Sequence, residues 1–521
     1  MATVALIALI AGIAAAGSSA AGPAVRPNVI VVMTDDQAPG LMKALPAARR
    51  LIGRRGATFD NAIASYPLCC PSRASFLTGQ YAHNHGTLGN GPRSGGGYPA
   101  LIDPERNLAA WFRASGYETA FAGKWLNGLR TPRVAPPGWT RWNGLVGAGG
   151  ESLSSFYDFD IFEPDGSPRH YGSAPRDYQT DVLTRNYALP LISEQATTPG
   201  SFFLWLSYHP PHDGLGRDDQ AGRRCSIGGP TARGGRQSAI PAPRHAARFA
   251  GARVPRAPSF NERDLSDKPS FVQRRDPLGP RDLEVINLNY RCALAALLAV
   301  DESIEAIVGA LEATAQLDDT ILVFTSDNGM LGGEHRIKAA KNRPYEEALR
   351  VPLMISGPGV AGGLVSDDPV ANIDLAPTLL ELTGVQVPAE SARVVDGTSL
   401  ASQLGGVAPV PGRAILIEGR DNVRQSHRAY KARSYAGVRT ERYTYVEHRR
   451  ATAGSLNEAI DLPIGAGRTT DTELYDLSRD PFQLESRHRD PSYARTRSRL
   501  SALLVELEAC SGSSCNAGLA P

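Results

Sequence analysis

Residues 27–37 read PNVIVVMTDDQ. The run Val29 to Met33 is short, apolar and mostly β-branched, the signature of a parallel strand buried on both faces. It ends at Asp35 and Asp36, and the carboxyl ends of such strands are where open α/β sheets build ligand sites. Three further stretches have the same form: TILVFTSDNG (320–329) ends in Asp327 and Asn328, FFLWLSYHPPH (202–212) runs out near His209 and His212, and ETAFAGKWLNG (118–128) reaches Lys124. Helical patterns lie between them, as in RNLAAWFRASG (106–116) and YRCALAALLAVDESIEAIVGALEATA (290–315). Strands alternating with helices predict an α/β fold with a large mixed, mainly parallel sheet sandwiched by helices. From about Gly405 the period changes to two, in RAILIEG, YAGVRTERYTYVEH and TELYDLSRDP, before an amphipathic close in YARTRSRLSALLVELEAC. We expect a large domain over 26–404 and a smaller α+β subdomain with an antiparallel sheet over 405–521.

Composition narrows the function. At 42% hydrophobic and 21% charged residues the chain is an ordinary globular one, and a net charge of +2 gives no footprint for nucleic acid. Residues 1–22 are apolar and then small, with Ser18-Ser19-Ala20 as a cleavage site, and read as a signal peptide although no Lys or Arg precedes Val4. No later segment is long and apolar enough to span a membrane. A secreted or extracytoplasmic location follows, and with it disulfides. Cys510 and Cys515 close a short loop, and Cys225 can pair with Cys292. Arg217–Arg256 is irregular and holds nine arginines against Asp218 and Asp219. It reads either as a solvated loop or as a cationic rim for an anionic polymer.

Cys69 and Cys70 remain, in LCCPSRASFLTGQYAHNHG (68–86). Adjacent cysteines seldom bridge each other. Pro71 and the helix formers after it place the pair just ahead of a helix N-terminus, where free N–H groups and the dipole attract an anion. Arg73 adds a planar cation one turn in. Cys69-Cys70-Pro71-Ser72-Arg73, with Leu77-Thr78-Gly79 downstream, resembles the signature of the formylglycine-dependent sulfatases of the alkaline-phosphatase-like superfamily. The likeness continues through TSDNG, RVPLMISGPGV, IDLAPTLLELTGV and ELYDLSRDP.

The resemblance implies that a separate formylglycine-generating enzyme oxidises Cys69, because Pro71 and Arg73 follow it by two and four residues. Cys70 then occupies the variable position. A hydrated aldehyde offers one hydroxyl to attack sulfur and a second whose deprotonation expels sulfate, splitting one hard step into two. Asp35, Asp36, Asp327 and Asn328 are hard oxygen donors suited to Ca2+ or Mg2+; the family implies one Ca2+, with residue 69 as a further ligand. Lys124 and Lys341, the latter in KNRPYEE, match the lysines that hold sulfate, and His212 in HPPHDG matches the proton donor to the leaving oxygen. His335 in GGEHRIK reads equally as site or surface. One departure is Leu126 in GKWLNG, where many arylsulfatases carry a catalytic histidine. That variant is similar to the N-acetylglucosamine-6-sulfatase and extracellular endosulfatase branch and implies a sulfated carbohydrate substrate, 6-O-sulfated N-acetylglucosamine first. Two other readings stay open: a phosphate or phosphonate monoester hydrolase on the same scaffold, and a carbohydrate-binding protein without catalysis.

Overall fold

The computed structural model describes the residues from 26 to 518 apart from 92–93, 130–132, 148–155, 215–237, 393, 409–411, 427–428 and 517. The expected signal peptide, Cys225 and most of the arginine-rich insertion therefore lie outside the described residues. Eleven strands form one sheet: β1 (Asn28–Asp35), β2 (Ala57–Ile63), β3 (Glu118–Gly123), β4 (Arg141–Gly147), β5 (Phe159–Phe162), β6 (Pro168–Tyr171), β7 (Phe202–Pro211), β8 (Thr320–Ser326), β9 (Arg350–Ser356), β10 (Leu364–Ser366) and β11 (Val370–Ala371). Their order is β10-β2-β9-β8-β1-β7-β3-β4-β5-β6, with β11 beside β2. The central strands β8, β1, β7, β3 and β4 run parallel, and antiparallel pairs flank them. The sheet is mixed and mainly parallel, as its strand sequences predict.

Two-sided burial explains the apolar runs. On β1, Val29, Val31 and Met33 join one hydrophobic cluster while Ile30 and Val32 join another on the opposite face. The same alternation divides Phe203 and Trp205 from Leu204 and Leu206 on β7. The helices used below are α1 (Cys69–Thr78), α2 (Leu108–Ala114), α3 (Pro280–Ala313), α4 (Leu375–Thr383) and α5 (Ala494–Glu508). Leu375, Ala376 and Leu379 of α4 pack on the first face and Leu294, Leu297 and Val300 of α3 on the second. α3 starts ten residues before the apolar pattern does, because Pro280 sits in its first turn and Asp282 accepts the Gly279 N–H at 3.1 Å. Its first turns bury only Ile286 and so carry little periodic signal.

A second sheet follows: β12 (Ala414–Arg420), β13 (Arg424–Ser426), β14 (Ala429–Thr440), β15 (Tyr443–Ala453) and β16 (Arg468–Asp476), all antiparallel. Leu500, Leu503, Leu504 and Leu507 form one buried stripe of α5. They share a cluster with Ile415 and Leu474 and also with Ile63, Tyr66 and Tyr81 of the large sheet's side, so the two sheets are packed together. Cys510 and Cys515 form the expected disulfide.

Candidate active site

Because β1, β3, β7 and β8 are parallel, their carboxyl ends emerge at one edge of the sheet. Asp35 and Asp36, Lys124, His209 and His212, and Asp327 and Asn328 all leave there. Gly123 is required at this edge: its φ is +118°, and a Cβ would lie 2.1 Å from the Ser207 carbonyl of β7. That close approach lets the Lys124 N–H reach the same carbonyl at 3.0 Å. Asp36 turns out of β1 with φ +65°, a conformation that costs a non-glycine residue roughly 1 kcal/mol and recurs at functional sites. Its N–H is held by Asp327 Oδ1 at 3.1 Å.

α1 lies against this edge and is buried along its whole length. Cys69 opens the helix rather than preceding it, since Leu68 is extended and its carbonyl takes the first helical bond, from Ser72 N at 2.9 Å. The free donors expected at this N-terminus are partly used: Asn90 Oδ1 accepts the Cys70 N–H at 2.9 Å. Cys70 Sγ in turn accepts from Asn127 N at 3.0 Å, and burial with Cys69 beside it pushes its thiol up to about 12. Cys70 is thus an inert packing group.

Cys69 faces the charges. Its Sγ lies 2.8 Å from Lys341 Nζ, 3.6 Å from Asp35 Oδ1 and 3.7 Å from Lys124 Nζ. Lys341 also reaches Asp36 Oδ1 at 2.5 Å, and Lys124 pairs closely with Asp35. Arg73, fully buried, donates from Nε to Asp327 Oδ2 (2.9 Å), from Nη2 to Asp35 Oδ2 (3.4 Å) and from Nη1 to the Lys124 carbonyl (2.7 Å) and Ser207 Oγ (2.5 Å). It is the strut that ties three strand ends together. Asp35, Asp36, Cys69 and His212 each bring a ligand atom within 4.8 Å of the others. Asp327 and Asn328 adjoin this group through Asp36, which accepts from Asn328 Nδ2 at 2.6 Å. Asn328 Oδ1 is buried and has no hydrogen-bond partner.

Protonation states follow. Burial alone would raise the Asp35 carboxyl, but Lys124, His212, Arg73 and Lys341 hold it well below its usual range. Burial works against charge on Lys124 and Lys341 too, and the carboxylates outweigh it, so both stay ammonium ions. Burial and Lys124 oppose a charge on His212, yet Asp35 and Asp36 lift it to about 10. His212 Nδ1 engages Asp213, at 2.7 Å from the carbonyl and 2.8 Å from the carboxylate, while Nε2 lies 3.6 Å from Asp36 Oδ2. A cleft of about 560 Å3 opens beside Asp36, His212 and Lys341.

The structure therefore brings together Cys69, Arg73, Lys124, His212 and Lys341 with Asp35, Asp36, Asp327 and Asn328. It adds two residues that the sequence reading assigned no role. Ser207 bridges Arg73 and the Lys124 carbonyl, and a hydroxyl inside an apolar strand was its only signal. His209 lies 4.0 Å from Asp35 Oδ2, and burial with His212 and Lys124 nearby keeps it neutral. Leu126 is a core residue. His335 belongs neither to the site nor to the surface: it is buried, with Nδ1 2.6 Å from Glu262 Oε2 and its ring 4.2 Å from that of Tyr345.

Residues 27–385 match the sulfatase family model. The chain belongs to the sulfatase family. It is a sulfuric ester hydrolase of the alkaline-phosphatase-like superfamily, and residues 333–463 also match the model for the C-terminal part of N-sulphoglucosamine sulphohydrolase. Human N-acetylglucosamine-6-sulfatase is 31% identical over 404 residues, which are 75% of this chain and 67% of that one. The Drosophila melanogaster extracellular sulfatase SULF-1 homolog is 30% identical over 72% of this chain, but the match spans only 31% of that longer protein. A sulfatase-like fold is also seen in the structure of a protein solved with its substrate D-glucosamine-2-N,6-O-disulfate, with a TM-score of 0.69 and 24% identity over 93% of this chain and 97% of that one.

Proposed function

We propose that the protein removes sulfate from sulfated sugars, with 6-O-sulfated N-acetylglucosamine, free or within a glycan, as the preferred unit. The observation that carries the proposal is the pair of ammonium groups, Lys341 and Lys124, that flank the side chain of residue 69. An oxyanion bound over that residue meets two cations whose own side chains are largely withdrawn from water. The choice of sugar rests on the GKWLNG motif and on the substrates named for the relatives above.

In this proposal Cys69 is oxidised to formylglycine by a formylglycine-generating enzyme, and the hydrated group supplies the nucleophilic hydroxyl together with the internal route for releasing sulfate. One Ca2+ would be held by Asp35, Asp36, Asp327, Asn328 and residue 69, and when bound it would supply positive charge toward the sulfate oxygens. The donors are hard oxygens, and the partnerless Asn328 Oδ1 points to a ligand still to be satisfied. Arg73 fixes Asp35 and Asp327, so that the carboxylates do not move as charge changes hands. His212, whose Nε2 lies beside Asp36 at the mouth of the site, is placed to give a proton to the leaving alkoxide, which departs poorly without one. With Leu126 in place of a second histidine, that donation falls on His212. We further propose secretion or another extracytoplasmic location, and a boundary near Gly405 between the catalytic domain (26–404) and the C-terminal subdomain.

The test is made on protein from the native host. Peptide mass spectrometry across residues 60–90 reads the state of Cys69, and kcat/KM is compared for a 6-sulfated amino sugar and an aryl sulfate. Aldehyde at residue 69 with preference for the sugar is expected. An unmodified Cys69 in active enzyme overturns the mechanism, and a clear preference for the aryl ester overturns the substrate.

A further inference from the structure

Cationic side chains gather in two parts of the chain, and the fold treats them differently. Within the described part of the arginine-rich insertion, Arg244 is locked in place, with two 2.7 Å bonds to Asp181 and bonds of 2.9 and 2.6 Å to Glu302. It is an intramolecular tie, while Arg248, Arg253 and Arg256 of the same segment are exposed but line neither the catalytic cleft nor the groove described next. The second part is ESRHRDPSYARTRSRL (485–500), near the C-terminus. Here the 3-10 turn Arg487–Arg489 stands beside α5, and the two border a groove of about 680 Å3 with Tyr445 of β15 and Thr472 of β16.

The groove is cationic and unneutralised. Arg489 and Arg497 supply its charge, and His488, whose imidazole burial and Arg489 push toward the neutral form, lines it beside them; Ser498 adds a hydroxyl, Ser501 turns its own to Glu447, and among the described residues no carboxylate lines the groove. Arg487, outside the groove, is paired with Glu485 at 2.6 Å and lies 3.7 Å from Asp490. Among the described residues Arg489 has no ion-pair partner, and the Arg497 guanidinium donates to the His488 carbonyl alone. The neighbouring carboxylates are engaged elsewhere: Glu447 binds Tyr445, Arg449 and Ser501, Glu473 binds His448 and Tyr475, Asp267 binds Lys268, and Asp490 binds Ser492 and lies 3.7 Å from Arg487. Along the same wall Val505 is 64% exposed, an apolar strip beside the cations. The groove and the cleft beside Asp36, His212 and Lys341 have no lining residue in common.

We propose that this groove is a second, non-catalytic site that holds a sulfated polysaccharide while another part of the same chain is cleaved. Guanidinium forks match sulfate and carboxylate groups in two-bond geometry, and Val505 gives a sugar ring a dry face to lie on. Binding there converts capture at the catalytic edge into an intramolecular event and raises the local concentration of sulfate esters. A nucleic acid suits the groove less well, because Tyr445 is buried and leaves only the His488 imidazole as a ring for stacking. The proposal rests on the sulfated-sugar reading above, in that the retained polymer is taken to be substrate.

The test uses the full-length activated enzyme and the double variant Arg489→Ser/Arg497→Gln, whose residues lie outside the catalytic machinery. Heparin is the polymeric probe, duplex DNA the control polymer, and a 6-sulfated monosaccharide the small substrate. In the variant we expect heparin affinity at low salt to fall about fivefold to tenfold, with a shallower salt dependence. KM for sulfated polymer should rise in parallel, while kcat/KM for the monosaccharide and the melting temperature hold. Unchanged heparin affinity in the folded variant overturns the proposal. Equal losses on heparin and DNA also overturn it, because the surface would then be unselective toward polyanions. A wild-type enzyme inactive on sulfated sugars would refute the substrate reading alone, since the heparin arm still decides the groove.

Discussion

Both sheets of this protein bury charge, and they do so in opposite ways. Beneath the small sheet, Glu473 accepts from Tyr345 at 3.1 Å and lies 2.6 Å from His448 Nε2, and Tyr475 donates to it as well. Around Lys268 the partners are Glu262 (3.1 Å), Asp267 (2.9 Å) and the Leu484 carbonyl (2.7 Å). The chain supplies nearly every partner that these groups need, and the network ties β16 to the loop that carries Lys341. At the edge of the large sheet, three carboxylates, two lysines and Arg73 crowd around one sulfur, Asp36 is strained and Asn328 Oδ1 is left unpaired. The first region is nearly complete as it stands, with Glu347 Oε2 and His335 Nε2 its loose ends; the second is arranged for something the chain does not supply. Buried charge marks a site only when its account does not close.

The largest expected effect separates the two adjacent cysteines. Cys69→Ala removes the group that faces both lysines, and turnover should fall to background. Cys70→Ala removes only the acceptor for Asn127 N–H, worth about 1 kcal/mol, so activity per folded molecule should survive. Initial rates beside melting curves check both. Equal loss in two folded variants would dissolve the contrast between site and packing group.

Next comes the carboxylate that holds Arg73. Asp327→Ala leaves a buried guanidinium short of its counterion, for which about 3–5 kcal/mol of stability is typical, and it also releases the Asp36 N–H. Activity should be lost and Tm should drop. Calcium should raise the wild-type Tm but not that of the variant. A wild-type Tm indifferent to both calcium and a chelator would sink the metal reading.

Much of this contrast is legible in the sequence, for a physical reason. Strands buried on both faces must be apolar, so Asp35-Asp36, Lys124, Asp327-Asn328 and His212 stand out as polar cargo at the ends of apolar runs. Parallel pairing then brings all of them to one edge. What the sequence conceals is pairing across distance. Ser207 meets Arg73 across 134 residues, and nothing local to either announces it. His335 lies in a polar Gly-rich stretch that reads equally as site or surface, and only the fold shows it buried on Glu262. The start of α3 is hidden because its first turns bury only Ile286, with Leu283 beside it, in a small separate cluster, and Cys69 is drawn into α1 by a backbone bond that spans four residues.

The nearly complete network beneath the small sheet gives the next test. Glu473→Gln keeps the shape but weakens acceptance from two phenols and removes the charge beside His448 and Lys268. A loss of about 2–4 kcal/mol is expected. Substrate KM should change less than Tm does, since Lys341 keeps its own contacts with Asp36 and Cys69. A rise in KM without a change in Tm would place Glu473 in the site rather than in the scaffold.

The smallest effect tests whether that network closes fully. Glu347 is one of its loose ends: Ser259 Oγ donates to Oε1 at 3.0 Å, while Oε2 is out of contact with solvent and has no hydrogen-bond partner. Burial pushes its carboxyl up to about 7, although His335 pulls the other way. The sign follows from proton binding. Between about 4.5 and 7 the folded state holds this proton more firmly than the unfolded chain does, so stability falls as pH rises through that window. Above it the carboxylate is ionised in both states and its full cost is present. Glu347→Gln removes that cost, and because the side chain is only partly enclosed the gain should be of order 1 kcal/mol. The variant should therefore melt higher than wild type at pH 8, with the difference shrinking to nothing below pH 5. A difference that is independent of pH would mean that Glu347 is held as a permanent charge, and that the scaffold network, like the site, waits for a partner.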